Sequence, residues 1–212
     1  MQSTLTFASE SKVGQFADAA PMEQSTKSNI FAQTRFSAKI TEAETTATDA
    51  MILSSSKFLA NALVNSLQQF NAKDILEQQQ SYESKIHGFL VFTRSYTMFS
   101  GTELVYCVWL IMRLSHVDKD RVKLGHKQQI TEENIGTILV CAVELALKML
   151  RDRVCRNSWW SNAFGMDMNT LNASEIVFLK RLDYRLNLDA ESFWAIYNAL
   201  FPSTLPTEPK SL

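Results

Sequence analysis

The fold of the chain is decided by residues Glu103–Ser115, which read ELVYCVWLIMRLS. Apolar side chains lie on every side of a helix drawn through this stretch, and such a helix belongs at the centre of a bundle. The stretch is shorter than the roughly 18 apolar residues that a membrane-spanning helix needs. It therefore predicts a buried central helix with other helices packed around it, and we expect no membrane partner.

The segments on either side of this stretch also have helical spacing of apolar residues, from residue 52 to residue 201. The predicted helices are 55–70, 86–99, 103–115, 131–154, 158–164, 171–186 and one that follows Asp189. No segment has the strict alternation that is typical of a strand. The pattern predicts an all-α fold, in which a five-helix core carries one extra helix on each side.

Side chains that commonly cap helices mark several of the predicted helix ends. We expect Ser55 or Ser56 to begin the first helix, Thr102 the central helix and Thr131 the next. The residues from 116 to 130 are rich in charge and are predicted to form a loop. Gly165 is expected to end the short helix 158–164, since glycine is common just after a helix.

The composition divides the chain into three parts. Residues 1–51 are predicted to be a mobile extension, because the first 50 residues hold 14 Ser and Thr and no Trp or Tyr. Residues 52–201 form the predicted helical domain. Residues 202–212 contain three prolines and are predicted to be an irregular tail.

Charge and motifs exclude several classes of function. Lys and Arg total 21 and Asp and Glu total 22, a balance that argues against nucleic-acid binding. The three cysteines form no C-x-x-C pair, which disfavours a zinc site and fits an intracellular location, in the cytoplasm or the nucleus. The chain lacks a phosphate-binding glycine loop, G-x-S-x-G and H-E-x-x-H. We therefore expect no catalytic residue, cofactor, metal or small-molecule substrate.

One residue breaks the apolar pattern of the helix 171–186. Glu175 lies on the same face as Leu171, Phe178 and Leu179, where a carboxylate is unfavourable unless it is paired. Lys148, near the flank of the preceding long helix, is the candidate partner. Two simpler interpretations stay open: Glu175 reaches water at the edge of the stripe, and Lys148 pairs on the surface with Glu144 four residues earlier.

Four stretches also resemble, in order, the helices of a cyclin box, and the likeness is to the single-box P/U-type cyclins of phosphate signalling. The stretches are Ile86–Leu90, Leu104–Leu114, Asn134–Asp152 and Leu171–Asn187. The last of these contains Leu182-Asp183-Tyr184-Arg185-Leu186-Asn187, similar to the Leu-Asp-Phe-Arg-Leu-Asn ending of that class.

The resemblance implies a regulatory subunit that binds and activates a cyclin-dependent protein kinase in phosphate signalling or the cell cycle. Lys148 and Glu175 match the cyclin positions that contact the kinase's regulatory helix. Leu145 and Cys141 flank Lys148 on its own helix, and we expect them to border the same surface. The alternative is a cyclin-fold transcription-type adaptor that binds other proteins or DNA.

Overall fold

The computed structural model describes residues 37–67 and 72–202, with side chains from residue 76 onward in the second range. The chain divides into two compact units, Met1–Ile40 and Thr41–Leu212, and the architecture below is that of the second. The expected mobility of residues 1–36 and the irregularity of residues 203–212 lie outside the described residues. None of the described helices is long and apolar enough to cross a membrane.

The described part of the second unit is built from helices. They are α1 (Asp49–Val64), α2 (Ala72–Thr97), α3 (Gly101–Lys123), α4 (Ile135–Leu150), α5 (Asn157–Ala163), α6 (Met168–Arg181) and α7 (Ala190–Leu200). Residues 41–44 of this unit are helical as well. No strand occurs in the described ranges, where Thr46 and Ser100 form an isolated bridge. This confirms the all-α prediction, with α2–α6 as the five-helix core and α1 and α7 as the flanking helices.

Two helices share the centre of the core. Residues 104–111 of α3 and residues 138–147 of α4 are buried without interruption. α3 packs against α1, α4, α6 and α7, and α4 also packs against α6. The sequence places one helix at the centre; the structure adds α4, because its residues 138–147 are enclosed on every side.

The composition places residues 41–51 in the mobile extension, and this part of the predicted domain boundary is wrong. Ala43, Ala47 and Met51 are buried in the hydrophobic core, and the Ala47 N–H donates to the Phe99 carbonyl at 2.9 Å. A side chain at Gly101 would lie 3.0 Å from the Met51 methyl group and 3.1 Å from the Ala43 carbonyl, so glycine permits this close approach. Small alanines give little apolar signal, and backbone contacts cannot be seen in a sequence.

The observed caps differ from the predicted ones at the first helix. Thr48 begins α1, and its hydroxyl accepts a hydrogen bond from the Met51 N–H at 3.2 Å. Ser55 and Ser56 are buried inside α1, where the Ser56 hydroxyl donates to the Ile52 carbonyl. Serine is therefore a core residue here rather than a cap.

The central helix begins with a capping box formed by Ser100 and Glu103, not with Thr102. The Ser100 hydroxyl accepts from the Glu103 N–H at 3.2 Å, and the Glu103 carboxylate accepts from the Ser100 N–H at 2.7 Å. Two N–H groups at the start of α3 are thereby satisfied. Thr102 instead donates its hydroxyl to the Ala43 carbonyl.

The predicted loop 116–130 is wrong over its first half, because α3 continues to Lys123. Asp118 explains part of the difference: its buried carboxylate accepts the N–H groups of Gln129 at 2.9 Å and Ile130 at 3.1 Å. The carboxylate thus holds the returning chain against α3. Gly125 turns the chain with a φ of 83°.

The boundaries of the helices after the central helix also differ from the predicted ones. α4 begins at Ile135 rather than Thr131, because the Asn134 side chain accepts the Thr131 N–H and holds a turn there. α6 ends at Arg181 rather than Leu186, since Asp183 and Tyr184 take positive φ values of 52° and 54°. The predicted ends at Gly165 and Asp189 are confirmed: α5 stops just before Gly165, and Asp189 caps α7.

Candidate partner-binding site

Lys148 lies in the last turn of α4, where a cation is favourable at the negative end of the helix dipole. Its ammonium group contacts three acceptors. Nζ lies 2.7 Å from Oε1 of Glu175, 2.8 Å from Oε1 of Glu144 and 2.8 Å from Oδ1 of Asn157. The predicted Lys148–Glu175 pair is therefore present, and the pair with Glu144 is present as well.

Glu175 lies on α6 and is held from two sides. One carboxylate oxygen receives Lys148, and the other accepts a hydrogen bond from the Asn157 amide at 2.8 Å. The same amide nitrogen donates to the Asn172 side chain at 2.8 Å. The network thus joins α4, the first residue of α5 and α6 into one rigid site.

Glu144 is the member of the network whose burial differs from the sequence-based interpretation. A surface pair with Lys148 was one interpretation, yet the Glu144 side chain is 0% exposed while that of Lys148 is 26% exposed. Burial raises the pKa of Glu144, and the ammonium of Lys148 opposes this shift. A signal was available: Glu144 interrupts an otherwise apolar run from Val140 to Leu147, just as Glu175 interrupts its stripe.

Both carboxylates affect the pKa of Lys148. Burial alone would lower the pKa of Lys148, but hydrogen bonds and charges from Glu144 and Glu175 outweigh burial and raise it. The ammonium is therefore charged across the physiological range. Asn157 and Asn172 complete the network. They carry no signal in the sequence, because their hydrogen-bond partners lie on other helices.

The two apolar residues predicted to border the site lie beneath it. Leu145 and Cys141 are buried, and burial raises the pKa of the Cys141 thiol to about 12. Neither residue presents a surface to a partner in this fold. The exposed apolar residues are instead the chain neighbours of the ion pair, Met149 and Leu150 on α4 and Ile176 and Val177 on α6.

Met149 and Leu150 also form one wall of a groove of about 850 Å³. The groove is lined by Tyr106, Trp109, Arg113, Met149, Leu150 and residues 184–188. The Tyr106 hydroxyl donates to the Leu186 carbonyl, and the Arg113 guanidinium donates to the Arg185 carbonyl. These two bonds from α3 hold the segment after α6 in place.

Apolar spacing does not predict this groove, because it continues the helix of α6 through residue 186. The groove exists because the chain leaves the helix at Leu182 and turns through two residues with positive φ. The guanidinium of Arg113 also lies over the Trp109 ring, 5.0 Å from its centroid. An aromatic and apolar groove therefore adjoins the ion pair on the surface.

A family model described as Cyclin matches residues 10–186. The chain belongs to the cyclin family. No curated protein and no solved structure matches the chain.

The cyclin match contains Lys148, Glu175 and the groove residues as far as Leu186, and it ends before α7. It begins at residue 10, inside the part that composition assigned to an extension. Cyclins are regulatory rather than catalytic proteins, which agrees with the character of the site. The described cyclin surface offers an ion pair, amides and apolar side chains.

Proposed function

We propose that this cyclin is a regulatory subunit that binds and activates a cyclin-dependent protein kinase. The observation that carries the proposal is the Lys148–Glu175 contact of 2.7 Å at a surface with exposed Met149 and Leu150. In cyclins, which this chain resembles at both positions, the lysine and glutamate contact the kinase's regulatory helix. A paired, largely buried charge cluster beside an apolar groove suits a partner that has both polar and apolar groups.

The physical basis of activation is differential binding. A kinase alternates between arrangements of its regulatory helix, and a subunit favours the arrangement that it binds more tightly. A surface fixed by α4, α5 and α6 can select one arrangement, because the side-chain network leaves it little freedom. The subunit then supplies binding energy and the kinase supplies the chemistry.

The class of cyclin and its cellular role are inferred from the sequence resemblance. We place the chain with the single-box P/U-type cyclins, because Leu182–Asn187 and three earlier stretches resemble that class. We infer a role in phosphate signalling or the cell cycle, and an intracellular location in the cytoplasm or nucleus, where such kinases act. The Leu182–Asn187 segment also forms much of the groove wall, which gives it a structural role beside the ion pair.

Reconstitution tests the proposal. The tagged chain is used to purify a kinase from its source cell, the kinase is identified, and both proteins are then produced separately. Phosphorylation of a generic substrate such as histone H1 should rise at least about tenfold when the parent chain is added. Activation should be lost with Glu175→Ala and kept with Glu133→Ala, a matched change at an exposed glutamate in the turn before α4.

Two results would contradict the proposal. One is the absence of any stimulation by the parent chain when the purified kinase is folded and able to bind nucleotide. The other is full activation by Glu175→Ala. Stable complexes with transcription proteins and no kinase activation would favour the adaptor function.

A further inference from the structure

The groove has two cations and no acidic side chain among the described residues that line it. Arg113 comes from α3 and Arg185 from the segment after α6, and neither pairs with a carboxylate within the described part of the chain. The Arg113 guanidinium uses one nitrogen to donate to the Arg185 carbonyl, and a guanidinium has five N–H donors. The groove therefore favours an occupant that carries a carboxylate.

The wall of the groove also offers main-chain donors. The N–H groups of Leu186, Asn187 and Leu188 have no acceptor among the described residues. These residues lie in irregular backbone between the turn after α6 and the start of α7. Unpaired N–H groups along such a segment can pair with the main-chain carbonyls of another extended segment. An occupant with carbonyls that lack other partners thus suits this wall.

Aromatic and apolar side chains complete the lining. Tyr106 and Trp109 are buried, whereas Tyr184, Met149 and Leu150 are exposed. Grooves lined by aromatic rings bind segments with P-x-x-P spacing, because proline is apolar and favours the extended polyproline conformation. The lining therefore suits a proline-containing segment that also has an acidic residue.

One segment of the chain itself combines these properties. Residues 203–212 read STLPTEPKSL and lie outside the described residues. Pro206 and Pro209 have P-x-x-P spacing, and each has a carbonyl but no N–H. Glu208, the acidic residue of the segment, stands between them. Its charge is opposite to that of the groove.

The segment is attached close enough to reach the groove. Leu188 lines the groove, and α7 begins two residues later at Ala190. α7 has 11 residues and is therefore about 16 Å long, whereas an extended chain covers about 3.3 Å per residue. Roughly five residues after α7 are enough to return along its length, so Pro206, Glu208 and Pro209 are within reach.

We propose that residues 203–212 dock in this groove. Glu208 pairs with the two arginines, main-chain carbonyls of the segment accept from the free N–H groups of the wall, and the prolines pack on the aromatic rings. The docked segment covers Met149 and Leu150, so it competes with the kinase for this surface. The competition rests on the proposed function, whereas the docking does not.

Hydrogen exchange in the full-length chain, followed residue by residue with NMR, tests the docking. The amides of Asn187 and Leu188 should exchange at least about tenfold faster in Glu208→Arg than in the parent, because the docked state is lost. Arg185→Glu should give a similar increase, and the double variant Arg185→Glu with Glu208→Arg should restore most of the protection. Glu191→Arg, a matched reversal at an exposed glutamate in the first turn of α7, should leave the rates unchanged.

The other outcomes overturn the docking. Protection that disappears when the chain is diluted would show that the segment of a second copy fills the groove, and docking within one chain would be wrong. Equal exchange in the parent and in Glu208→Arg, or no recovery in the double variant, would show that the segment does not bind there. Circular dichroism verifies that each variant is folded before exchange is measured.

Kinase binding tests the competition. Glu208→Arg frees the groove, so its dissociation constant for the kinase should be at least about threefold lower than that of the parent. Equal affinities of parent and variant, despite faster exchange in the variant, would overturn the competition. Exchange is measured without kinase, so a failure of the docking is separate from a failure of the proposed function.

Discussion

Two ion-pair networks at the end of α4 are three residues apart and differ in what surrounds them. Arg151 pairs with Glu103 through two contacts of 2.5 and 2.7 Å, and its other donors reach the carbonyls of Thr97 and Met98. Lys148 pairs with two carboxylates and an amide on α4, α5 and α6. The Arg151 network includes backbone carbonyls as well as a side chain, whereas the Lys148 network consists of side chains.

The difference separates a fold-forming cluster from a candidate binding site. Arg151 and Glu103 join the end of α4 to the turn between α2 and α3, where Glu103 also completes the capping box with Ser100. The Lys148 network lies beside exposed apolar residues and a groove, and Glu175 keeps acceptor sites free. A charge pair alone does not indicate function; its remaining hydrogen-bonding capacity and its apolar neighbours do.

Lys148→Ala should give the largest loss of stability. The variant leaves Glu144 buried without its cation, and breaking a buried pair in this way costs about 3–5 kcal/mol. Urea unfolding followed by circular dichroism measures the free energy of unfolding. The double variant Glu144→Leu with Lys148→Met should recover most of the loss, because it removes both charges and keeps the volume. A parent-like midpoint for Lys148→Ala would show that Glu144 is not an uncompensated buried charge in the folded variant.

Arg151→Ala should have a smaller effect. The arginine side chain is 31% exposed, and Glu103 keeps its bond to the Ser100 N–H, so we expect a loss of about 1.5–3 kcal/mol. The same unfolding measurement applies. Arg151→Lys is the matched control: it keeps the charge but cannot form the two-pronged contact, so its loss should lie between the parent and alanine. A loss larger than that of Lys148→Ala would reverse the comparison.

The smallest expected effect is the pH dependence of the free energy of unfolding. Burial raises the pKa of Glu144 above its usual value of 4.5, so the folded chain binds this proton more tightly than the unfolded chain. Its contribution to the free energy of unfolding should therefore decrease as pH rises above about 4.5. The free energy of unfolding is measured for the parent and for Glu144→Gln at several pH values. The difference between the two chains gives the contribution of Glu144. A difference that increases with pH would contradict the assigned burial.

The sequence predicts the helices and the Glu175 ion pair well, because both are indicated by the spacing of apolar residues within single helices. Apolar periodicity places α3 at the centre, and a carboxylate on an apolar stripe identifies Glu175. The groove depends on two positive φ values at Asp183 and Tyr184, which no local pattern requires. The burial of Glu144 depends on how completely other elements enclose α4, which a single helix cannot show.

The packed residues before α1 were missed for a related reason. Ala43 and Ala47 bury little apolar surface, and hydrogen bonds to their backbone hold them: the Ala47 N–H donates to the Phe99 carbonyl, and the Ala43 carbonyl accepts from the Thr102 hydroxyl. A composition rich in Ser and Thr outweighed this weak signal. Predictions from composition are least reliable where small residues pack through their backbone.

The most direct test of the central claim is the dissociation constant for the purified kinase, measured by titration calorimetry with parent, Glu175→Ala and Arg151→Ala chains. The measurement is made at a temperature at which unfolding curves show that all three chains are folded. Glu175→Ala should bind roughly 30-fold or more weakly, as expected when a charged group is truncated at an interface. Arg151→Ala should bind within about threefold of the parent, because its network serves the fold. Parent-like binding by Glu175→Ala, or an equal loss in both variants, would contradict the account.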